Sequence, residues 1–280
     1  MKWKKIAKTG GYSQNLLYIL NQLWGDLMIE KIVEIKVSEK QKMPTFVVYP
    51  SNDNIYPVVI LLMDAPGIRQ ELHDMASRIA ACGYYVLCPN LYYRTAKPFE
   101  WNKSNLNFIE GYSPEASREL MFKNMDNLSN ALVLEDIDHM IEFCENQNSA
   151  KNSSIGLVGY CMSGPFAFYA AGKLPEKIAA AASIHGVKLV TESEDSPHLF
   201  TNSVKGELYF GCAETDSYAP LEMINALEKH LSATSVDYKI EIFPKTHHGF
   251  AFPNRGQLYN RKHAETHWFR ILDLFSRKLK

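Results

Sequence analysis

The residue type best suited to chemistry in this chain is Cys161, at the tip of the stretch GLVGYCMSGPFAFYAA from Gly156 to Ala171. A short apolar run, Ile155 to Val158, leads into a Gly-flanked turn, and an Ala-rich helical pattern begins at Pro165. Strand, sharp turn bearing a nucleophile-type residue, then helix is the layout of a nucleophile elbow. In such an elbow a strained turn lifts a Ser or Cys above a sheet. Its usual form is G-x-S-x-G. Here Gly159, Tyr160, Cys161, Met162 and Ser163 fill those places and Gly164 comes one position later. The nucleophile is therefore a thiol and the closing glycine a serine, which is small enough to keep the layout. The competing reading is an ordinary buried cysteine at a strand–helix turn, a common use of that residue.

Two further residue types complete a reaction set. Asp216 closes the loop sequence Gly211-Cys212-Ala213-Glu214-Thr215-Asp216 after one strand pattern, and His247 and His248 come after another. Either histidine can act as a base. Nucleophile, acid, histidine is the chain order of α/β-hydrolases. A thiol with a reference pKa near 8.5 is a modest nucleophile until it ionises. A helix N-terminus beneath Cys161 and an imidazole beside it both favour the thiolate. Asp216 would hold the imidazole in the required tautomer and stabilise its charged form.

These loops need a scaffold, and the hydrophobic pattern supplies one. Strand patterns run over Lys31–Val37, Met43–Tyr49, Val58–Met63, Tyr84–Cys88, Ile178–Ile184, Glu207–Phe210 and Val236–Phe243. The unbroken apolar run Val58–Met63 marks a strand buried on both faces, as in parallel sheets. Helix patterns cover Gln70–Cys82, closed by Gly83, then Ala131–Asn146, Leu221–Leu231 and Gln257 to Lys278. Such alternation indicates an α/β doubly wound domain, whose ligands sit beyond the carboxyl ends of the strands. The segment Asn90–Leu128 is the least regular and is expected to be a lid, a binding loop or disorder. Its Tyr92, Tyr93, Phe99, Trp101, Phe108 and Tyr112 either line an apolar pocket or simply pack. Residues 1–27 are polar and Gly-containing before an amphipathic piece, unlike the strand pattern that begins at Met28. The expected division is an extension over 1–27 and one domain over 28–280.

Bulk properties narrow the function class. The 280 residues carry 30 Lys and Arg against 31 Asp and Glu, a formal net charge of −1. That gives no reason to expect nucleic acid or an anionic membrane as partner. Five cysteines in no C-x-x-C spacing argue against a zinc ribbon or disulfide framework and suit a reducing cytoplasm. No apolar run approaches 18 residues, and the basic start lacks the apolar core and cleavage site of a signal peptide. His263 and His267 in HAETH share a helix face, but the glutamate is not in the place zinc helices use. Gly159 and Gly164 have phosphate-loop spacing, yet Pro165 and Phe166 replace its Lys and Ser/Thr, and no G-x-G-x-x-G is present. No metal and no cofactor is expected.

The chain from Met28 onward resembles the dienelactone hydrolase family of α/β-hydrolases. The pieces that carry the resemblance are MDAPGIR from Met63, CPNLYYR ending at Arg94, GYCMSG around Cys161, CAETD ending at Asp216 and THHGFAFPNR around His248. The family fold is three-layered, with a mostly parallel central sheet and helices on both faces. The resemblance implies a Cys161–His248–Asp216 triad, with His248 favoured over His247 because the family histidine directly precedes Gly-Phe. It implies an oxyanion hole from the backbone N–H groups of Met162 and Ala65. It implies that Asp64, where the family has a Glu, is a carboxylate contacting the thiol, and that Arg94 anchors a substrate carboxylate. The family's second anchoring arginine falls at Phe252, with Arg255 the nearest alternative. The expected activity is hydrolysis of a small-molecule lactone or carboxylic ester. The alternatives are a general carboxylesterase or thioesterase, or a catalytically weak ligand-binding or thiol-sensing protein on the same fold.

Overall fold

The structure is a computed structural model that describes residues 27–95 and 113–280. The extension expected over 1–27, Leu27 apart, and the aromatics Phe99, Trp101, Phe108 and Tyr112 lie outside the described residues. Among the described residues eight strands form one sheet: β1 (Met28–Lys36), β2 (Lys42–Pro50), β3 (Tyr56–Leu62), β4 (Tyr85–Pro89), β5 (Ala150–Tyr160), β6 (Ile178–Ile184), β7 (Glu207–Thr215) and β8 (Asp237–His247). Their spatial order is β1-β2-β4-β3-β5-β6-β7-β8. The pairs β1–β2 and β2–β4 are antiparallel, and every later pair is parallel.

The centre of the sheet is set by composition. Every residue of β3 and β4 is buried, and the apolar half of β5, Ile155 to Tyr160, is buried too. Strands covered on both faces need no polar alternation. Among the described residues six α-helices pack around them: α1 (Gln70–Ala80), α2 (Pro114–Asp126), α3 (Asn130–Glu145), α4 (Gly164–Lys173), α5 (Leu221–Leu231) and α6 (Arg261–Leu279). Helices α3 and α4 lie against each other over β5, while α6 covers β5 to β7. Arg78 on α1 pairs with Glu265 on α6 and stacks over Trp268, which ties those two helices together. Among the described residues, no helix is long and apolar enough to cross a membrane.

Strands β7 and β8 run on to Thr215 and His247, through stretches read as loops, and two helices differ from the sequence expectation. Helix α2 lies within the stretch read as irregular; Pro114 takes its first turn and the Ser113 side chain caps it by accepting from the Ala116 N–H. Its apolar periodicity is weak because the face it presents is only partly buried. The last helix begins at Arg261 rather than Gln257. Gly256, at φ 57°, breaks the run, and the Asn260 side chain caps the new start by accepting from the His263 N–H.

Helix α6 also braces β5. The fully buried His267 donates from Nδ1 to the Ala264 carbonyl, so its Nε2 accepts from the Tyr160 hydroxyl at 3.0 Å. Burial pushes the His267 pKa down to about 3, against the opposing pull of that carbonyl. A depressed histidine contributes stability that is complete above the unfolded pKa of about 6.5 and is lost as pH falls towards the folded value. Urea unfolding between pH 7 and 4.5 should therefore show a fall of about 2 kcal/mol from this group. His73 and His185 are depressed in the same direction, so the wild-type slope is a sum. The difference between wild type and His267→Gln isolates His267: the variant should be less stable at pH 7 and lose less on acidification. Parallel curves would refute the assignment.

Candidate active site

Strand β5 ends at Tyr160, and the chain turns through a 3-10 segment, Cys161–Ser163, into α4. Cys161 holds φ at 55°, the left-handed region that non-glycine residues seldom enter. The turn is tight. A Cβ on Gly159 would come within 2.0 Å of the Ser163 carbonyl oxygen, and one on Gly164 within 2.4 Å of Ser183 Oγ and 2.5 Å of Gly186 Cα. The close approach that requires a glycine therefore falls at Gly164, one place later than the usual motif. Ser163 is free to differ, and its hydroxyl donates to the Met63 carbonyl at 2.5 Å. That bond ties the turn to the end of β3.

His248 stands in the loop after β8, and Asp216 directly follows β7. His248 Nε2 lies 3.1 Å from Cys161 Sγ, and its Nδ1 lies 2.7 Å from Asp216 Oδ2. The other Asp216 oxygen accepts from the backbone N–H groups of Tyr218 and Ala219, at 2.9 and 3.1 Å, which fixes the carboxylate. Burial opposes a charge on His248, but the hydrogen bonds to Asp216 and Cys161 outweigh it and raise the pKa to about 9. The three side chains can hold a shared proton between sulfur and imidazole. His247 is exposed and lines the same cavity without joining this chain of contacts.

Two residues that the sequence reading did not single out flank the imidazole. The ring of His185 lies 4.7 Å from that of His248 on the buried side, and Tyr218 lies 5.0 Å away on the other. Burial, then the neighbouring His248, Arg255 and His267, hold His185 well below its usual pKa, so it packs as a neutral ring. Tyr218 is two residues beyond Asp216, whereas His185 comes after β6 and reaches the site only because β6 neighbours β5.

Ala65 and Met162, expected to offer backbone N–H groups, are joined by one phenol. The buried Tyr92 hydroxyl donates to the Ala65 carbonyl at 2.8 Å and lies 3.3 Å from Met162 Sδ. Asp64 does not behave as expected. Arg69 grips both its oxygens, at 2.5 and 3.2 Å, and Arg255 reaches one of them at 3.0 Å. The expected contact with the thiol is thus replaced by two guanidinium groups. Burial would raise the Asp64 pKa, but Arg69 and Arg255 overcome this and hold it below the usual carboxylate range. Arg69 also grips Glu71, whose second oxygen accepts from the Asn254 N–H at 2.8 Å.

Arg94 also departs from expectation. Its fork makes two 2.8 Å bonds to the buried Asp136 on α3, which also accepts from the Tyr93 hydroxyl at 2.7 Å. That fork faces a buried carboxylate instead of the cavity, and Arg94 is not among the described residues lining the cavity. That cavity measures about 800 Å³ and opens over Cys161 and His248. Among the described residues no cluster of three or more His, Cys, Asp or Glu could hold a metal ion. Of the HAETH pair, His267 is committed to Tyr160 and Ala264.

Known proteins resemble the chain along most of its length. The dienelactone hydrolase family model matches residues 43–279. A Synechocystis protein named "Putative carboxymethylenebutenolidase" is 30% identical over 228 residues, covering 80% of this chain and 87% of its own. A Xenopus tropicalis protein named "Carboxymethylenebutenolidase homolog" is 27% identical over 194 residues, 69% of each chain. The solved structure of a "Putative Dienelactone Hydrolase" from Klebsiella pneumoniae superposes with a TM-score of 0.77 at 23% identity, covering 89% of this chain and 99% of that one.

Titration of the His248 ring, monitored by NMR, should have its midpoint near 9 in the wild type. Asp216→Asn and Cys161→Ala each remove one of the partners that raise it, so each should lower the midpoint by about a unit or more. A midpoint unmoved in both variants would contradict the pairing.

Proposed function

The chain belongs to the dienelactone hydrolase family, and from that premise we propose that it hydrolyses a carboxylic ester or lactone with Cys161 as the nucleophile. The observation that carries the reading is the unbroken line from Cys161 Sγ through the His248 ring to Asp216, at 3.1 and 2.7 Å, opening on a cavity. Proton transfer from sulfur to His248 gives a thiolate beside an imidazolium, a pair that Asp216 stabilises. The thiolate attacks the carbonyl carbon, and negative charge develops on the carbonyl oxygen. The Ala65 and Met162 N–H groups are the donors proposed to receive it.

Collapse of the tetrahedral species breaks the acyl–oxygen bond. His248 gives its proton to the departing alkoxide, which in a lactone stays attached to the acyl group. A water molecule, deprotonated by the now neutral His248, then attacks the thioester carbon; the acid leaves and the thiol is restored. Every proton is accounted for by one imidazole. Tyr92 is a positioning residue here, because its hydroxyl orients the Ala65 backbone and touches the Met162 side chain. All five cysteines are free thiols, which supports a reducing compartment, and the proposed setting is the cytoplasm.

Hydrolysis of an aryl acetate and a lactone by wild type and Cys161→Ala tests the nucleophile directly: the variant should fall to background. Equal rates in both would end the proposal. The pH profile of kcat/KM should show an alkaline limb near 9, where free His248 loses the proton needed by the leaving group. Tyr92→Phe should lower kcat about tenfold and leave KM within about twofold, because only transition-state stabilisation is weakened. A change confined to KM would contradict that role.

A further inference from the structure

One wall of the cavity has no part in the chemistry proposed above. Helix α2 turns Arg118, Met121, Phe122 and Met125 towards it. Their spacing of three and four residues puts them on one helix face. Met121 to Met125 spans about 6 Å at the helical rise, the length of a chain of five or six carbons. Methionine is unbranched and polarisable, so a methionine wall accepts flexible apolar chains of varied shape. Arg118 closes one end: its guanidinium lies 5.5 Å over the Phe122 ring and donates to the Tyr218 hydroxyl at 3.1 Å. Tyr218 in turn packs on His248, so the wall is continuous with the reacting groups.

The described charges around this wall give no net positive excess to hold a carboxylate. Arg94 is bound to Asp136 outside the cavity, and the position of a second family arginine is the fully buried Phe252. Arg255 lines the cavity and gives one N–H to Asp64, its buried Nε having no partner among the described residues. The other described lining cations, Arg118 and Lys188, are offset in number, not in ion pairs, by the lining anions Glu115 and Asp126. A carboxylate laid on the methionines would lose hydration in a lining that, among the described residues, sets Glu115, Asp126 and Asp216 against Arg118, Lys188 and Arg255.

We infer that the α2 face formed by Met121, Phe122 and Met125 is an acyl-binding wall, and that the substrates are uncharged carboxylic esters with a medium-length apolar acyl chain. This rests on Cys161 being the nucleophile. Full burial of each methylene corresponds to about a fourfold gain in affinity. The expected gain in kcat/KM is therefore about two- to fourfold per methylene from acetyl to hexanoyl, levelling off once the wall is covered.

The test reads the wall in two ways. Ester turnover compares acetyl, butyryl and hexanoyl esters with an adipoyl half-ester, which is like the hexanoyl ester but ends in a carboxylate. Thiol labelling compares N-methyl, N-hexyl and carboxypentyl iodoacetamides. The Cys161 peptide is monitored by mass spectrometry, and the exposed Cys82 serves as an internal gauge of reagent reactivity. The expected result is a hexyl-over-methyl preference of about tenfold or more at Cys161 and none at Cys82. The carboxylate-ended reagent and ester should fall at least about tenfold behind their neutral matches. In Met121→Gln/Met125→Gln, which keeps side-chain length, the hexyl-to-methyl and hexanoyl-to-acetyl ratios should shrink about tenfold. A flat chain-length series, or a carboxylate-ended probe that matches or beats the neutral one, overturns the inference. If the labelling preference appears while wild type and Cys161→Ala hydrolyse esters equally, the hydrolase reading falls and the apolar subsite stands.

Discussion

Cys161 holds φ at 55° where a strand buried on both faces gives way to a helix, and that conformation makes tight demands on its surroundings. A left-handed cysteine is strained, so it persists only where neighbours over-determine it. Gly159 lets the Ser163 carbonyl fold back onto the strand, and Gly164 lets α4 settle against Gly186 and Ser183 at the end of β6. The Ser163 hydroxyl then fastens the turn to Met63 at the end of β3. Three neighbouring strands are thereby locked at their carboxyl ends. The loops after β7 and β8 meet Cys161 from this fixed base.

A second constraint is electrostatic. Asp64, Arg69, Glu71 and Arg255 form a buried cluster that joins the end of β3, the start of α1 and the segment after His248. Charges so deeply placed are tolerable only when each is paired, and removing one partner strands the others. The cluster also explains why the aspartate, one methylene shorter than the family glutamate, is not aimed at the thiol. Its oxygens are drawn to two guanidinium groups. The segment carrying Arg255 is held further by the Asn254 N–H on Glu71. The region after the candidate base is thus fixed by contacts to Asp64 and Glu71.

Most of the scaffold was legible because its signals are local. The apolar runs of β3 and β4, the glycine after α1 and the nucleophile turn are each written in a few consecutive residues, and the structure has them there. The misreadings of α2 and of the start of α6 have separate causes. Helix α2 has weak periodicity because part of its apolar face lines a cavity, so burial never imposed a sharp stripe. The start of α6 depended on Gly256 adopting a positive φ, which residue type permits but does not require.

What the sequence determined by itself was the order of the elements, the residue types at the strand ends and the family they imply. Those come from hydrophobic spacing and from motifs only a few residues long. Tertiary structure alone decided the partners of the charged side chains. Arg94 and Asp136 are 42 positions apart, and Arg255 and Asp64 are 191 apart. A guanidinium carries no local mark of whether it will meet a substrate or a buried carboxylate. Its choice depends on which carboxylate the fold buries within reach, because leaving that charge unpaired in a low dielectric would cost more than any single surface contact returns.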